Sequence, residues 1–158
     1  MTVIGATGHQ RLPAGVTSFL IDHVRATVRS CQPPLCVVSS LAAGADQLVA
    51  HVVLEEGGGL QAIVPSAGYE ATLDADDLHS YEELLTQAAE ITRLEFDEPS
   101  EAAYWAAGKE IVARCDLLVA IWDGRPARGL GGTGDVIDYA RTSGKDVRVI
   151  WPSGVVRA

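Results

Sequence analysis

Residues 116–135 constrain the fold more than any other part of the chain. The stretch opens with a continuous apolar run, Leu117-Leu118-Val119-Ala120-Ile121-Trp122, and stops at Asp123-Gly124. A run of this length bounded by turn residues fits a strand buried on both faces of a parallel sheet. A loop with four glycines in six residues follows, from Gly129 to Gly134. Val136-Ile137-Asp138-Tyr139-Ala140 then reads as the opening of a helix. Buried strand, glycine loop and helix N-terminus together suit a bound phosphate. Glycines let backbone N–H groups approach closely, Thr133 offers a hydroxyl, and the unpaired amides of the first helical turn attract negative charge.

The same pattern recurs along the chain. Residues 2–4 open a first strand, which leaves into Gly5-Ala6-Thr7-Gly8-His9-Gln10-Arg11. The glycine spacing is not G-x-G-x-x-G, so the dinucleotide fingerprint is absent. Arg11 suits a planar contact with phosphate, while His9 suits either a ligand or a backbone cap. Apolar residues recur at helical spacing over 15–29, and Pro33-Pro34 closes that segment. Residues 35–38 form a second strand that runs into Ser39-Ser40-Leu41-Ala42-Ala43-Gly44-Ala45-Asp46, before a helix through 48–56. Asp46 reads either as a carboxylate complementing the helix dipole or as an acceptor for a ribose hydroxyl. A third strand, 60–64, ends at Pro65 and is followed by Tyr69, an aromatic beside the expected cleft. A helix over 78–90, a less buried strand over 91–96, a helix over 100–114 capped by Ser100, a helix to residue 143 and a strand over 147–151 complete the chain.

Strands alternating with helices predict a single doubly wound, Rossmann-like α/β domain over 1–158, with a mainly parallel sheet of about six strands. Two strand orders fit, 3-2-1-4-5-6 and 4-3-2-1-5-6. In both, the small-residue loops after strands one, two and five share the carboxyl end of the sheet, where such folds bind ligands.

Composition narrows the classes. With 47% hydrophobic and 21% charged residues, the chain reads as an ordinary globular protein. It carries neither a signal-like leader nor an apolar run of membrane-span length, so no membrane is expected and the cytoplasm is the default location. A net charge of −9 makes nucleic acid an unfavourable partner. A small anion inside a cleft escapes that objection. Cys31, Cys36 and Cys115 have no C-x-x-C spacing and the four histidines are scattered, so neither a disulfide framework nor a metal site is expected. No cofactor is called for.

These loops resemble the SLOG superfamily, which joins the DNA-processing protein DprA (Smf) to the "Lonely guy" phosphoribohydrolases. The segment from Val38 to Asp46, continuing to Ala50-His51, resembles the S-G-L-A-x-G-I-D-x-x-A-H stretch of DprA. Gly131-Gly132-Thr133-Gly134-Asp135-Val136-Ile137-Asp138 resembles the P-G-G-x-G-T-x-x-E loop of the phosphoribohydrolases, and Gly8-His9-Gln10-Arg11 is similar to the Gly-His-Arg start of the YpsA-like branch. The phosphoribohydrolases use an arginine, from an R-K pair, and the glutamate of the glycine loop to cleave the base–ribose bond of a nucleoside 5′-monophosphate. Here Gly108-Lys109 stands in place of that pair, and either Asp135 or Asp138 in place of the glutamate.

The resemblance therefore implies a nucleotide-binding protein, with sensing as one role. Its phosphate would rest on Gly131, Gly132, Thr133 and Gly134, with Gly5, Thr7, Gly8, His9 and Arg11 closing the other side. Ser39, Ser40, Gly44 and Asp46 would face the sugar, Trp122 or Tyr69 the base. The alternative is a phosphoribohydrolase using Asp135 or Asp138, with Lys109 on the phosphate. The DprA branch implies single-stranded DNA and a recombinase partner, the reading ranked last. The superfamily also implies a homodimer, with Tyr104 and Trp105 on one helix face as the contact.

Overall fold

Runs of Val, Ile and Leu with alternate side chains directed to opposite faces need helices on both sides, and the chain supplies them. The computed structural model describes residues 1–126 and 132–157. Its strands are β1 (Thr2–Gly8), β2 (Leu35–Ser39), β3 (Gly59–Val64), β4 (Glu90–Arg93), β5 (Leu117–Ile121) and β6 (Asp146–Ile150). All pair in parallel in the order β4-β3-β2-β1-β5-β6, the second of the two expected orders. Short, charged and exposed, β4 suits an edge.

Helices α1 (Thr17–Arg29), α2 (Ala45–Glu55) and α3 (Ala75–Gln87) cover one face; α4 (Glu101–Arg114) and α5 (Thr133–Thr142) cover the other. The split is visible within β5. Val119 and Ile121 join the core under α1–α3, whereas Leu118 and Ala120 join the core under α4 and α5. Each large aliphatic side chain sealed this way contributes about 1.5–3 kcal/mol.

Several boundaries differ from the sequence reading. Gly5 to Gly8 is not a loop: β1 runs through it, paired with β5 from Ile4↔Leu117 to Gly8↔Ile121. The small residues are there because helices cross close by. A Cβ on Gly5 would lie 2.9 Å from Ile111 Cγ2 of α4, and one on Gly8 would lie 2.5 Å from Ala45 Cβ of α2. Next, α5 begins at Thr133 rather than Val136, with Gly132 as its N-cap. Finally, α3 starts at Ala75 because the Asp74 carboxylate caps it, accepting from the Asp77 N–H at 3.0 Å. That helix ends at Gln87, which frees Glu90 for β4.

After β4 the chain turns away instead of extending the strand to residue 96. Ser100 caps α4 as expected, accepting from the Ala103 N–H at 3.0 Å. The three cysteines are free; Cys115 is buried under α4, and burial pushes its thiol pKa up. No helix among the described residues is long and apolar enough to cross a membrane.

Candidate functional site

Because β2, β3 and β4 extend the sheet to one side of β1 while β5 and β6 extend it to the other, the chain leaving β1 and the chain leaving β5 run to helices on opposite faces, α1 and α5. A cleft of about 430 Å³ opens there. Ala6, Thr7 and Gly8 of β1 line it, with Ser40, Ala42 and Asp46 on one side and Trp122, Gly132, Thr133 and Gly134 on the other.

His9 ties the surrounding loops together. Its N–H donates to the Ile121 carbonyl at 3.1 Å and its carbonyl accepts from the Ala45 N–H at 3.0 Å. Its Nε2 accepts from the Asp123 N–H at 3.2 Å. Gly44 makes the second of these contacts feasible. Its φ is +75°, and a Cβ there would lie 2.5 Å from the carbonyl oxygens of both His9 and Gln10. Nε2 also lies 3.2 Å from the Asp123 Oδ1, and burial first, then the Arg157 charge, lowers the His9 pKa below its usual value in spite of that carboxylate. The histidine is thus a structural linchpin as well as a cleft residue.

Asp46 is 8% exposed. Its Oδ2 accepts from the Ala42 N–H at 3.3 Å, and Oδ1 has no hydrogen-bond partner among the described residues. Burial pushes its pKa up to about 7, against the partial relief of that N–H. Tyr69, buried against Tyr81 and Tyr104, lines the cleft as well, and burial raises its hydroxyl pKa, with Asp46 adding to the effect. Across the cleft, Trp122 lies over the start of α5: a Cβ on Gly134 would be 3.3 Å from its ring. The indole N–H is held by the Arg125 carbonyl at 2.9 Å.

Of the residues picked from sequence, Thr7, Gly8, His9, Ser40, Asp46, Tyr69, Trp122, Gly132, Thr133 and Gly134 line this one cleft. Others lie off its lining. Gly5 sits beneath α4, and the Ser39 hydroxyl accepts from the Leu41 N–H at 3.0 Å, so both serve the scaffold. Gly44 serves the loop contact, Arg11 is exposed, and Lys109 places its Nζ 5.7 Å from the Trp105 ring centre. Asp135 and Asp138 ride on α5 outside the lining, and Asp138 is exposed. Gly131 falls outside the described residues. Tyr104 and Trp105, the dimer candidates, pack against Tyr69 and Tyr139 within the chain.

Sequence reasoning missed Arg157, Tyr104 and Gly108, all of which line the cleft. Tyr104 and Gly108 share one stripe of α4, a spacing that could have revealed them. No local signal marks Arg157. Among the described residues no group of His, Cys, Asp and Glu is arranged to hold a metal.

No protein-family model and no curated protein matches the sequence. Solved structures do match. DNA processing protein A from Helicobacter pylori superposes with a TM-score of 0.72 at 16% identity, covering 99% of this chain and 68% of that one. DprA from Streptococcus pneumoniae gives 0.68 at 16% identity, over 98% of this chain and 51% of that one. The chain has the fold of these DNA-processing proteins. Protein TM1055 shares it more distantly, with a TM-score of 0.58 at 16% identity over 93% of this chain and 72% of that one. The chain thus spans about half the length of the S. pneumoniae protein. The H. pylori protein binds single-stranded DNA. In this fold, Gly132, Thr133 and Gly134 at the start of α5 line the same cleft as Ser40, Ala42 and Asp46.

Proposed function

We propose that this protein binds a nucleotide or nucleotide-derived phosphate ligand in the β1–β5 cleft, a site suited to sensing. The observation that carries the reading is a polarity running across one cavity. At one end is the N-terminus of α5, where Gly132 and Gly134 leave the backbone open and Thr133 adds a hydroxyl. At the other is a nine-tenths buried carboxyl, Asp46, with one oxygen unbonded. Phosphate at the first end and sugar hydroxyls at the second would satisfy both. Trp122, beside the helix start, offers the apolar face a base needs, while Tyr69, buried against Tyr81 and Tyr104, backs the wall beside Asp46.

Cleavage of an N-glycosidic bond has less support. It needs a carboxylate beneath the breaking bond, and Asp135 and Asp138 are off the lining. Position 108, where the phosphoribohydrolases resembled here carry arginine, faces Val136 so closely that a Cβ would lie 2.8 Å from Cγ2.

The test is a panel of nucleoside mono-, di- and triphosphates, following melting temperature and free-base release together. A ligand at 100 times its dissociation constant adds about 2.7 kcal/mol, a clear shift. Stabilisation without base release is expected; release from a monophosphate would favour the enzyme, and no shift with any member would remove the reading. Thr133→Val should weaken the stabilising nucleotide several-fold with the apo melting temperature unchanged. Equal affinity would take the helix start out of the site. Hydroxyls donating to Asp46 need its ionised form, so affinity should rise with pH through about 7 and flatten in Asp46→Asn.

A further inference from the structure

Beyond β6 the chain folds back toward the cleft. Gly154 turns it at φ +76°, and the Trp151 indole N–H donates to the Val155 carbonyl at 2.8 Å. The Trp151 ring also stands edge-on to His9, with centroids 5.3 Å apart. The returning segment delivers Arg157 to the cleft wall.

There the guanidinium meets Asp123, whose side chain is 2% exposed. Nε donates to Oδ2 at 2.6 Å and Nη2 donates to Oδ1 at 2.7 Å, a planar two-point contact. A second Nη2 donor reaches the Arg125 carbonyl at 2.8 Å, the same carbonyl that holds Trp122. These bonds fix the plane of the guanidinium at the wall of the cleft that the start of α5 also lines. Its Nη1 donors have no hydrogen-bond partner among the described residues, and the side chain is 29% exposed.

From this geometry we infer that Arg157 is the phosphate-binding cation of the cleft, aimed by Asp123. The inference rests on the reading of the cleft as a nucleotide site. Other basic side chains are badly placed for the role. Arg11 and Lys109 are off the lining, and Arg125, though on it, is exposed and its guanidinium has no hydrogen bond among the described residues. Holding the guanidinium in place beforehand removes most of the side-chain entropy that an arginine loses on gripping a phosphate. Asp123 offsets the guanidinium's charge but fixes its direction, so the two Nη1 hydrogens are left to meet a phosphate oxygen in a set orientation.

The experiment titrates AMP, GMP, CMP and UMP, each beside its nucleoside, into the wild type, Arg157→Gln and Arg157→Lys by calorimetry. Arg157→Gln should weaken the bound monophosphate at least ten-fold and leave its nucleoside unchanged; lysine should recover part of the loss. Equal monophosphate affinity in wild type and Arg157→Gln removes Arg157 and leaves the nucleotide site standing. Binding of no monophosphate by the wild type removes both. A second measurement uses the unaltered protein: phenylglyoxal labelling of Arg157, read by mass of the C-terminal peptide, should be suppressed by the monophosphate. Unchanged labelling at saturation would overturn the inference.

Discussion

At Asp46 one carboxyl is asked to be both buried and useful. An unfolded chain ionises it at its ordinary value of 3.8, whereas the folded chain holds the proton to about pH 7. Between those values the folded state binds more protons than the unfolded one, so stability falls as pH rises from about 4 to about 7, then levels off. Asp46→Asn keeps an oxygen for the Ala42 N–H and removes that slope. Urea denaturation should therefore find the variant more stable than wild type by about 2–4 kcal/mol at pH 8 and equal to it near pH 4. A variant less stable at both pH values would mean that the ionised carboxyl is well solvated or paired. Such a cost carried by a cleft residue is expected of a binding group rather than of a packing one. The residue was legible in the sequence because Gly44-Ala45-Asp46 ends a small-residue loop at a helix start. Its burial was not, since that depends on Tyr69 arriving from beyond β3.

Between elements, the tightest fit is where α4 passes α5. Gly108 lets the two helices approach until Val136 fills the space a side chain would need. Gly108→Ala gains helix propensity but forces the contact apart, and the second effect should win by about 1–3 kcal/mol. Thermal unfolding of Gly108→Ala, Val136→Ala and the double variant would measure it: the double variant should be more stable than the sum of the single losses. Additive losses would mean that the helices are not in contact through this pair. The unit β5–loop–α5 was readable in advance because an uninterrupted apolar run can only be a doubly covered strand here. The end of β1 was not. Glycine disfavours strands when judged alone, and only the close crossing of α4 and α2 explains why Gly5 and Gly8 occupy a central one.

For the molecule as a whole, charge and fold point in different directions. The fold is shared with a DprA that binds single-stranded DNA, yet this chain has a net charge of −9. Phosphate neutralisation dominates nucleic-acid affinity. Anisotropy with a labelled oligothymidine should therefore show no binding at about 100 μM protein and about 0.15 M salt, conditions under which nonspecific binders, with Kd of about 10⁻⁴–10⁻⁶ M, are at least half bound. Saturation there would move DNA to the front. The sheet could be counted from the sequence, but the place of β4 could not. Edge and interior positions differ in how many neighbours a strand has, and a four-residue segment carries too little pattern to tell.

Of the three tryptophans, Trp122 lines the cleft over Gly134, and Trp151 stands edge-on to the cleft residue His9. The third, Trp105, packs on Tyr139 away from it. The protein accordingly contains its own optical gauge. Filling the cavity must alter the polarity around Trp122 while leaving Trp105 as a constant background, so occupancy can be followed by emission colour without attaching a dye.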